Sequence, residues 1–412
     1  MLFKLPHQMG KSLLWVVILL IAVNAWGSSG CLEEERIALL QVKAHMKYYA
    51  LGKSLTSWAN DTKSDCCKWY MVTCNNTTKR VTNLELSWIV DRNGGGWYIN
   101  ASVFLPFKQL ITLDLIGNQL AGVVENGGFD KLSKLHNLEM IDLSYNQLNR
   151  SILSSLSHLS SLKNLTLDSN PLNSPPNSSG HETLSRLSNL ELLRITTIHM
   201  EDTNVLSVLN LKDFINLKML VIDHNNYQSF GPFNEGEEPK KLESLNLQSN
   251  RFNNSIFKSL KGLPSLKILD LSINDFHGPL PIQDINALSS LEVLDLSQNF
   301  IEGFETSISL TGVSGRITNN SHLQLRLNSI FCNMTKLLQA LAAFQAVKSL
   351  ELQGNNITTI DEIHALKNLS NLEDLFLGSY FLPNTFLHKD FLQSIGPMNS
   401  LKVLSVRLVS FL

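Results

Sequence analysis

The sequence predicts an α/β protein: a right-handed solenoid of stacked coils with one parallel sheet along its concave face and a disulfide-linked cap at its N-terminal end. Three observations predict it. A motif of the form L-x-x-L-x-x-L-x-L-x-x-N-x-L recurs from residue 81 onward, four of the five cysteines crowd into residues 31–74, and an apolar run precedes them. The 412 residues carry a net charge of −2 with 17% charged and 43% apolar residues. That excludes a disordered tail and a polybasic binder, so no nucleic-acid partner is expected. At a typical ~150 residues per domain the length would suggest two or three domains. The repeat replaces them with one continuous core.

Residues 1–30 read as a secretory signal peptide. Lys4 and Lys11 precede the eleven apolar residues Leu13–Val23, and small residues from Ala25 to Gly30 follow. Eleven residues are too few for a bilayer, which needs ~20. An oxidising export route follows, in which cysteines pair and Asn-x-Ser/Thr triplets can be glycosylated. Such triplets begin at Asn60, Asn75, Asn76, Asn100, Asn149, Asn164, Asn177, Asn253, Asn319, Asn333, Asn356 and Asn368.

Residues 31–80 read as the cap. Glu33 to Lys47 places Ile37, Leu40 and Ala44 on one face with acids in the first turn, the pattern of an amphipathic helix. Cys31, Cys66, Cys67 and Cys74 allow three pairings, and joining the adjacent Cys66 and Cys67 would close a strained ring. An oxidising compartment and the lack of a neighbouring His weigh against a zinc site, so no metal or cofactor is expected. Cys332 is the odd cysteine, to be read as an apolar contact on the convex side or as an intermolecular disulfide.

Residues 81–412 read as about 12–13 coils. Clear copies are Leu135-Leu138-Ile141-Leu143-Asn146-Leu148 and Leu288-Leu291-Leu294-Leu296-Asn299-Ile301. The slot held by Asn falls at Ile89, Asn118, Asn146, Asn170, Ile198, Asn225, Asn250, Asn274, Asn299, Asn328, Asn355, Tyr380 and Val409, always 24 to 29 residues apart. These are leucine-rich repeats. The L-x-L triplet forms a strand whose leucines enter the core, and the Asn amide bonds backbone groups that would otherwise be buried unpaired. One coil cannot bury its own leucines; stacked coils bury each other's. In Asn274-Asp-Phe-His-Gly278-Pro-Leu280-Pro281, and more weakly from Asn118 to Val124, a second short strand is expected. Asn149–Ile152 and Asn253–Ile256 lack the Gly, which leaves that strand open there.

The spacing Cys66-Cys67-x-Trp69-x-x-Val72-x-Cys74, with Cys31 upstream and Trp58 between, closely resembles the cap of plant leucine-rich-repeat receptors. The resemblance implies the pairs Cys31–Cys66 and Cys67–Cys74. Met71 stands where that family often has Gly. With the repeats, the chain resembles plant receptor-like proteins, kinase-less cell-surface proteins. The resemblance implies secretion or display on the outer plasma membrane, a peptide, glycan or protein ligand, and a partner receptor kinase or co-receptor in defence or developmental signalling. A secreted inhibitor similar to the polygalacturonase-inhibiting proteins is the alternative reading, and a non-functional fragment the third. No catalytic signature occurs, so no enzyme is expected. Leu404, Val406, Val409 and Phe411 enter a repeat that stops without a cap, which suggests a truncated chain whose longer form would carry any membrane span.

Several coils carry Asp-Leu-Ser at the strand, and the slots that depart from it are the candidate ligand contacts: Arg194, Thr196, Val221, Asp223, His224, Gln324, Arg326 and Phe376. They are expected to face outward, with Arg194, Thr196, Asp223 and His224 in one patch. A separate column alternates in charge through Glu139, Lys163, Glu191, Lys218, Glu243, Lys267 and Glu292, then runs Ser321, Lys348, Glu373 and Lys402. Exposed pairs contribute only ~0.2–1 kcal/mol each, so the column reads as a registry and solubility device.

Overall fold

The computed structural model of the chain describes residues 30–46, 55–59, 64–90, 95–172, 184, 186–197, 205, 209, 211–231, 233, 238–305, 322–342, 344, 346–378, 385–396, 398–407 and 409–411. Residues 1–29 of the signal-peptide segment, Asn60, Asn177, Ile198, Asn319, Ser321 and Tyr380 lie outside them. A 14-stranded sheet runs the length of these residues. It opens with β1 (Val72–Cys74) antiparallel to β2 (Val81–Glu85), and every later strand joins in parallel. These are β4 (Thr112–Asp114), β6 (Met140–Asp142), β7 (Asn164–Thr166), β8 (Leu192–Arg194), β9 (Met219–Val221), β10 (Ser244–Asn246), β11 (Ile268–Asp270), β13 (Val293–Asp295), β15 (Leu323–Arg326), β16 (Val347–Glu351), β17 (Asp374–Gly378) and β19 (Val403–Arg407). Short helices return the chain on the opposite side. Strands pack ~4.8 Å apart and helices 8–10 Å, so the stack curves with the sheet inside.

The central residue of each parallel strand of this sheet from β2 to β17, a leucine everywhere but Ile141, is completely buried. A ladder of asparagines behind them stitches the coils together. Asn299 Nδ2 donates to the carbonyls of Leu271 (3.0 Å), Leu296 (3.0 Å) and Ser297 (3.2 Å), while its Oδ1 accepts from the Asn274 N–H at 3.0 Å. Asn146, Asn170, Asn250 and Asn274 repeat the arrangement. Just before this slot the chain turns left-handed in coil after coil, with φ 55° at Tyr145, 53° at Ser169 and 57° at Gln298.

One coil corrects the sequence reading. Pairing of Leu294 with Leu325 places Ile330, and not Asn328, in the asparagine slot. Asn328 lies on the sheet side, where its Oδ1 accepts from the Gln353 N–H at 2.7 Å. The stretch Leu323-Gln-Leu325-Arg-Leu327-Asn holds two overlapping L-x-L triplets, and only pairing with β13 selects between them.

Second strands form at both Gly-containing segments, and at further coils that include two without a Gly, Thr385–Leu387 and Val409–Phe411. β3 (Trp97–Ile99) pairs with β5 (Leu120–Val123), β12 (His277–Leu280) with β14 (Phe300–Phe304), and β18 (Thr385–Leu387) with β20 (Val409–Phe411). Gly278 sits at φ +67°, a conformation a side chain resists. At Asn149–Ile152 and Asn253–Ile256, which lack the Gly, helices take the place of the second strand: α2 (Ile152–Leu156) and α3 (Ile256–Leu260). Among the described residues the later α-helices are α4 (Ile282–Asn286), α5 (Met334–Leu341), α6 (Ile360–Lys367) and α7 (Phe391–Ile395), and short 3-10 helices such as Ala101–Phe104 serve other coils.

The cap is built on α1 (Glu33–Met46) and two disulfides, Cys31–Cys66 and Cys67–Cys74. Trp58 and Trp69 stack behind them with ring centres 5.8 Å apart. Met71 has φ +68°, a left-handed conformation that glycine adopts without strain. The buried face of α1 differs from the expected one. Ala38, Leu39, Val42 and Met46 point inward while Ile37 is 45% exposed. Glu35 sets this rotation. It is fully buried, meets Arg80 Nε at 2.9 Å, and accepts from the N–H groups of Leu32 and Val81 at 3.3 Å each. Burial raises its pKa, and the bond to Arg80 opposes the rise. A carboxylate needing those three donors turns with it the residues that share its helix face.

Candidate functional site

The concave sheet presents three parallel columns. The outermost is the alternating charge column. Lys163 reaches back to Glu139 at 2.7 Å, Lys218 to Glu191 at 2.7 Å and Lys267 to Glu243 at 2.9 Å, while Glu373 takes both Lys348 and Lys402. The corrected register puts Leu323 in the place assigned to Ser321. Bonds to these lysines lower the pKa of Glu191, Glu243 and Glu373. With the folded pKa below the unfolded one, the stabilisation is present above about pH 4.5 and is lost as pH falls through the folded values. Lys163, Lys267 and Lys402 are raised by the same bonds, so their share disappears only above pH 10.5. Lys218→Glu would place three acids side by side. We expect a small but measurable drop in Tm in low salt that largely closes in 1 M salt; thermal melts at two ionic strengths check it.

The middle column is the residue just before the central one of each strand, and sequence reasoning missed its apolar members. Met140, Leu192, Met219, Ile268 and Val293 lie in register across the sheet, with Asn164 and Ser244 between them. They are half-buried, except Ile268, which is 45% exposed. Apolar strand residues read as core in a sequence. The available signal was that they precede the central leucine, where the alternation of a strand turns a side chain outward.

The third column carries charge. Its members include Asp114, Asp142, Arg194, Val221, Asp270, Asp295, Arg326, Glu351 and Phe376. Burial, more than any neighbouring charge, raises the pKa of Asp142 and Asp295, as it does for Asp223 in the adjoining turn.

These positions sort the sequence candidates. Arg194 is exposed and held by Asp168 of the preceding coil. His224 is exposed, its Nδ1 3.5 Å from Asp223. Gln324, Arg326 and Phe376 are half-buried, with Arg326 between Glu351 at 3.1 Å and Asp295 at 3.8 Å, and Gln324 Nε2 donating to Glu351 at 2.5 Å. Thr196, Val221 and Asp223 do not face outward as expected; they are 5%, 1% and 7% exposed. Thr196 and Asp223 lie beyond the strand, where the turn closes on neighbouring coils, and the Thr196 N–H donates to Asp168 at 2.9 Å. Val221 sits in register between Arg194 and Asn246. The candidates fall in two clusters, one of Arg194, Thr196, Asp223 and His224 around Asp168 and the other around Arg326 and Glu351. Between them run β10 and β11.

Of the sequon asparagines, Asn75, Asn76, Asn100, Asn149, Asn253, Asn333, Asn356 and Asn368 are exposed. Asn164 differs, being a half-buried strand residue on the concave face itself. Cys332 packs partly against the core, and burial, helped by Glu302, pushes its thiol up to about 11. Among the described residues no helix is long and apolar enough to cross a membrane.

Residues 32–75 match the leucine rich repeat N-terminal domain, and residues 137–159 and 241–263 match the leucine rich repeat. The chain is a leucine-rich-repeat protein. Its relatives are plant receptor-like proteins. It is 36% identical over 289 residues to Cuscuta receptor 1 of Solanum lycopersicum, covering 68% of this chain and 23% of that one. It is 32% identical over 293 residues to receptor-like protein 13 of Arabidopsis thaliana, covering 68% and 24%. This leucine-rich-repeat chain thus spans about a quarter of the length of the relatives it matches. The solved TLR13–ssRNA13 complex shares its fold, with a TM-score of 0.51 at 22% identity over 76% of this chain and 45% of that chain.

Proposed function

We propose that the chain is the extracellular recognition part of a receptor-like protein. In this reading residues 1–30 are a leader, 31–80 a cap and 81–412 a single solenoid, exported and displayed at the cell surface. The concave face binds an extended peptide or protein segment, and a partner receptor kinase carries the signal in defence or development. Similarity to Cuscuta receptor 1 and receptor-like protein 13 supports the class.

The observation that carries the ligand is the apolar column from Met140 to Val293 with carboxylates running along it. An extended peptide repeats every two residues, as a strand does, so it can seat apolar side chains on that column and basic ones over the acids. Burial raises the pKa of Asp142 and Asp295, so their ionised form is less favoured in the free protein than it would be in water. A cationic ligand favours that form. Binding therefore strengthens as pH rises through those values and weakens as it falls through them.

A photo-crosslinking residue at Met219, with the full chain secreted from plant cells, tests the reading. Capture of a peptide or protein at Met219 but not at Lys258, which is exposed on α3 of the opposite face, is the expected result. Equal capture at both positions, or none, would overturn it.

A further inference from the structure

Two sequons share an arrangement found at none of the other exposed ones. In Phe331-Cys332-Asn333-Met334-Thr335 and Tyr98-Ile99-Asn100-Ala101-Ser102, an aromatic residue stands two positions before the asparagine. Phe331 is 62% exposed and Tyr98 56%. The residues between and after turn inward: Ile99 and Ala101 are buried, Met334 is 8% exposed, and Cys332 packs partly on the core. Residues two apart in an extended segment leave the chain on the same side ~6.5 Å apart, so each exposed ring is within reach of a sugar on its asparagine. Both asparagines also cap a helix. Asn333 Oδ1 accepts from the Lys336 N–H at 3.0 Å and Asn100 Oδ1 from the Ser102 N–H at 3.1 Å. Capping engages the carbonyl oxygen and leaves Nδ2, the atom that carries a glycan, out of the bond.

From this we infer that N-linked glycans at Asn333 and Asn100 are seated on the rings of Phe331 and Tyr98. The inference rests on the export proposed above. The donor is a polyprenyl-diphosphate-linked oligosaccharide: its C1–O bond breaks, a C1–N bond forms to Nδ2, one Nδ2 proton is lost and the polyprenyl diphosphate leaves. The cap bond survives, because the amide keeps its oxygen, and it fixes the direction in which the first sugar departs. The C–H face of that N-acetylglucosamine then lies over the electron-rich ring face. At Asn333 the platform extends further. Phe331 stacks on Phe300 with centres 5.3 Å apart, and Phe300 stacks on His277 at 5.0 Å, a strip of exposed rings along the edge of β12 and β14.

Hydroxyl-radical footprinting read by mass spectrometry tests this on the full chain secreted from a eukaryotic host. Thr335→Ala and Ser102→Ala remove the sequons and keep both caps. We expect oxidation of Phe331 and Tyr98 to rise at least threefold in the matching variant, and equally after amidase removes the glycans from the folded wild type, which needs no variant to fold. Phe300, next to Phe331, should follow it more weakly. Occupied sites with unchanged ring oxidation would overturn the inference. So would bare Asn333 and Asn100 with other sequons occupied, an outcome that leaves export intact. No occupied sequon anywhere would overturn both.

Discussion

Replacing Asn299 with alanine is expected to destabilise the protein by about 3–5 kcal/mol, with its effect concentrated in the two adjoining coils. The side chain is completely buried and serves five backbone groups, three carbonyls through Nδ2 and the N–H groups of Asn274 and Phe276 through Oδ1. Each buried group left without a partner costs about 1–3 kcal/mol, and alanine offers none of them a replacement. The neighbouring Leu271, Leu296 and Ile301 are all fully buried, so these groups have no exposed surface at which to find water. Coils contact mainly their neighbours, so hydrogen exchange should accelerate around residues 271–299 before it does in the cap. Asn137→Ala is the control. Its amide makes one exposed bond, to the Lys108 carbonyl, and its loss should move urea unfolding by less than about 0.5 kcal/mol.

The second large effect lies in the cap, and its size depends on which disulfide is removed. Cys31–Cys66 joins residues 35 apart and Cys67–Cys74 residues 7 apart. The loop-entropy account gives about 4 kcal/mol for the longer loop and about 2.5 for the shorter. Cys31→Ala with Cys66→Ala should therefore cost more than Cys67→Ala with Cys74→Ala in denaturant unfolding. The longer bridge also holds the start of α1, where Glu35 meets Arg80 and β2, so its loss should raise exchange at Val81 and Leu84. Equal costs for the two pairs would contradict the dependence on loop length.

The two effects mark what a sequence makes legible. Leucine spacing and the asparagine slot are visible because each is repeated, and a repeat averages out local exceptions. Three things were not legible, each for a physical reason. The face of α1 is chosen by a carboxylate whose partners, Arg80 and Val81, lie 45 and 46 residues away. The register at β15 is ambiguous because a strand pattern of period two can slip by two, and pairing with β13 decides it. The apolar column on the concave face was hidden because Met219 and Val293 look like core residues until the pleat of the strand assigns them a side. Thr196 and Asp223 fail the other way: polar residues in outward-looking slots that the turn folds against neighbouring coils.

Peptide retention on the immobilised full chain tests the central claim, that the sheet face selects extended cationic and apolar segments. Two pools of twelve-residue peptides would be compared, alternating apolar residues with lysine in one and with glutamate in the other. The expected result is retention of the lysine pool alone, weakened by salt and by lowering the pH through the raised values of Asp142 and Asp295, and reduced by Met219→Glu. Retention of both pools alike, or binding indifferent to Met219→Glu, would contradict it.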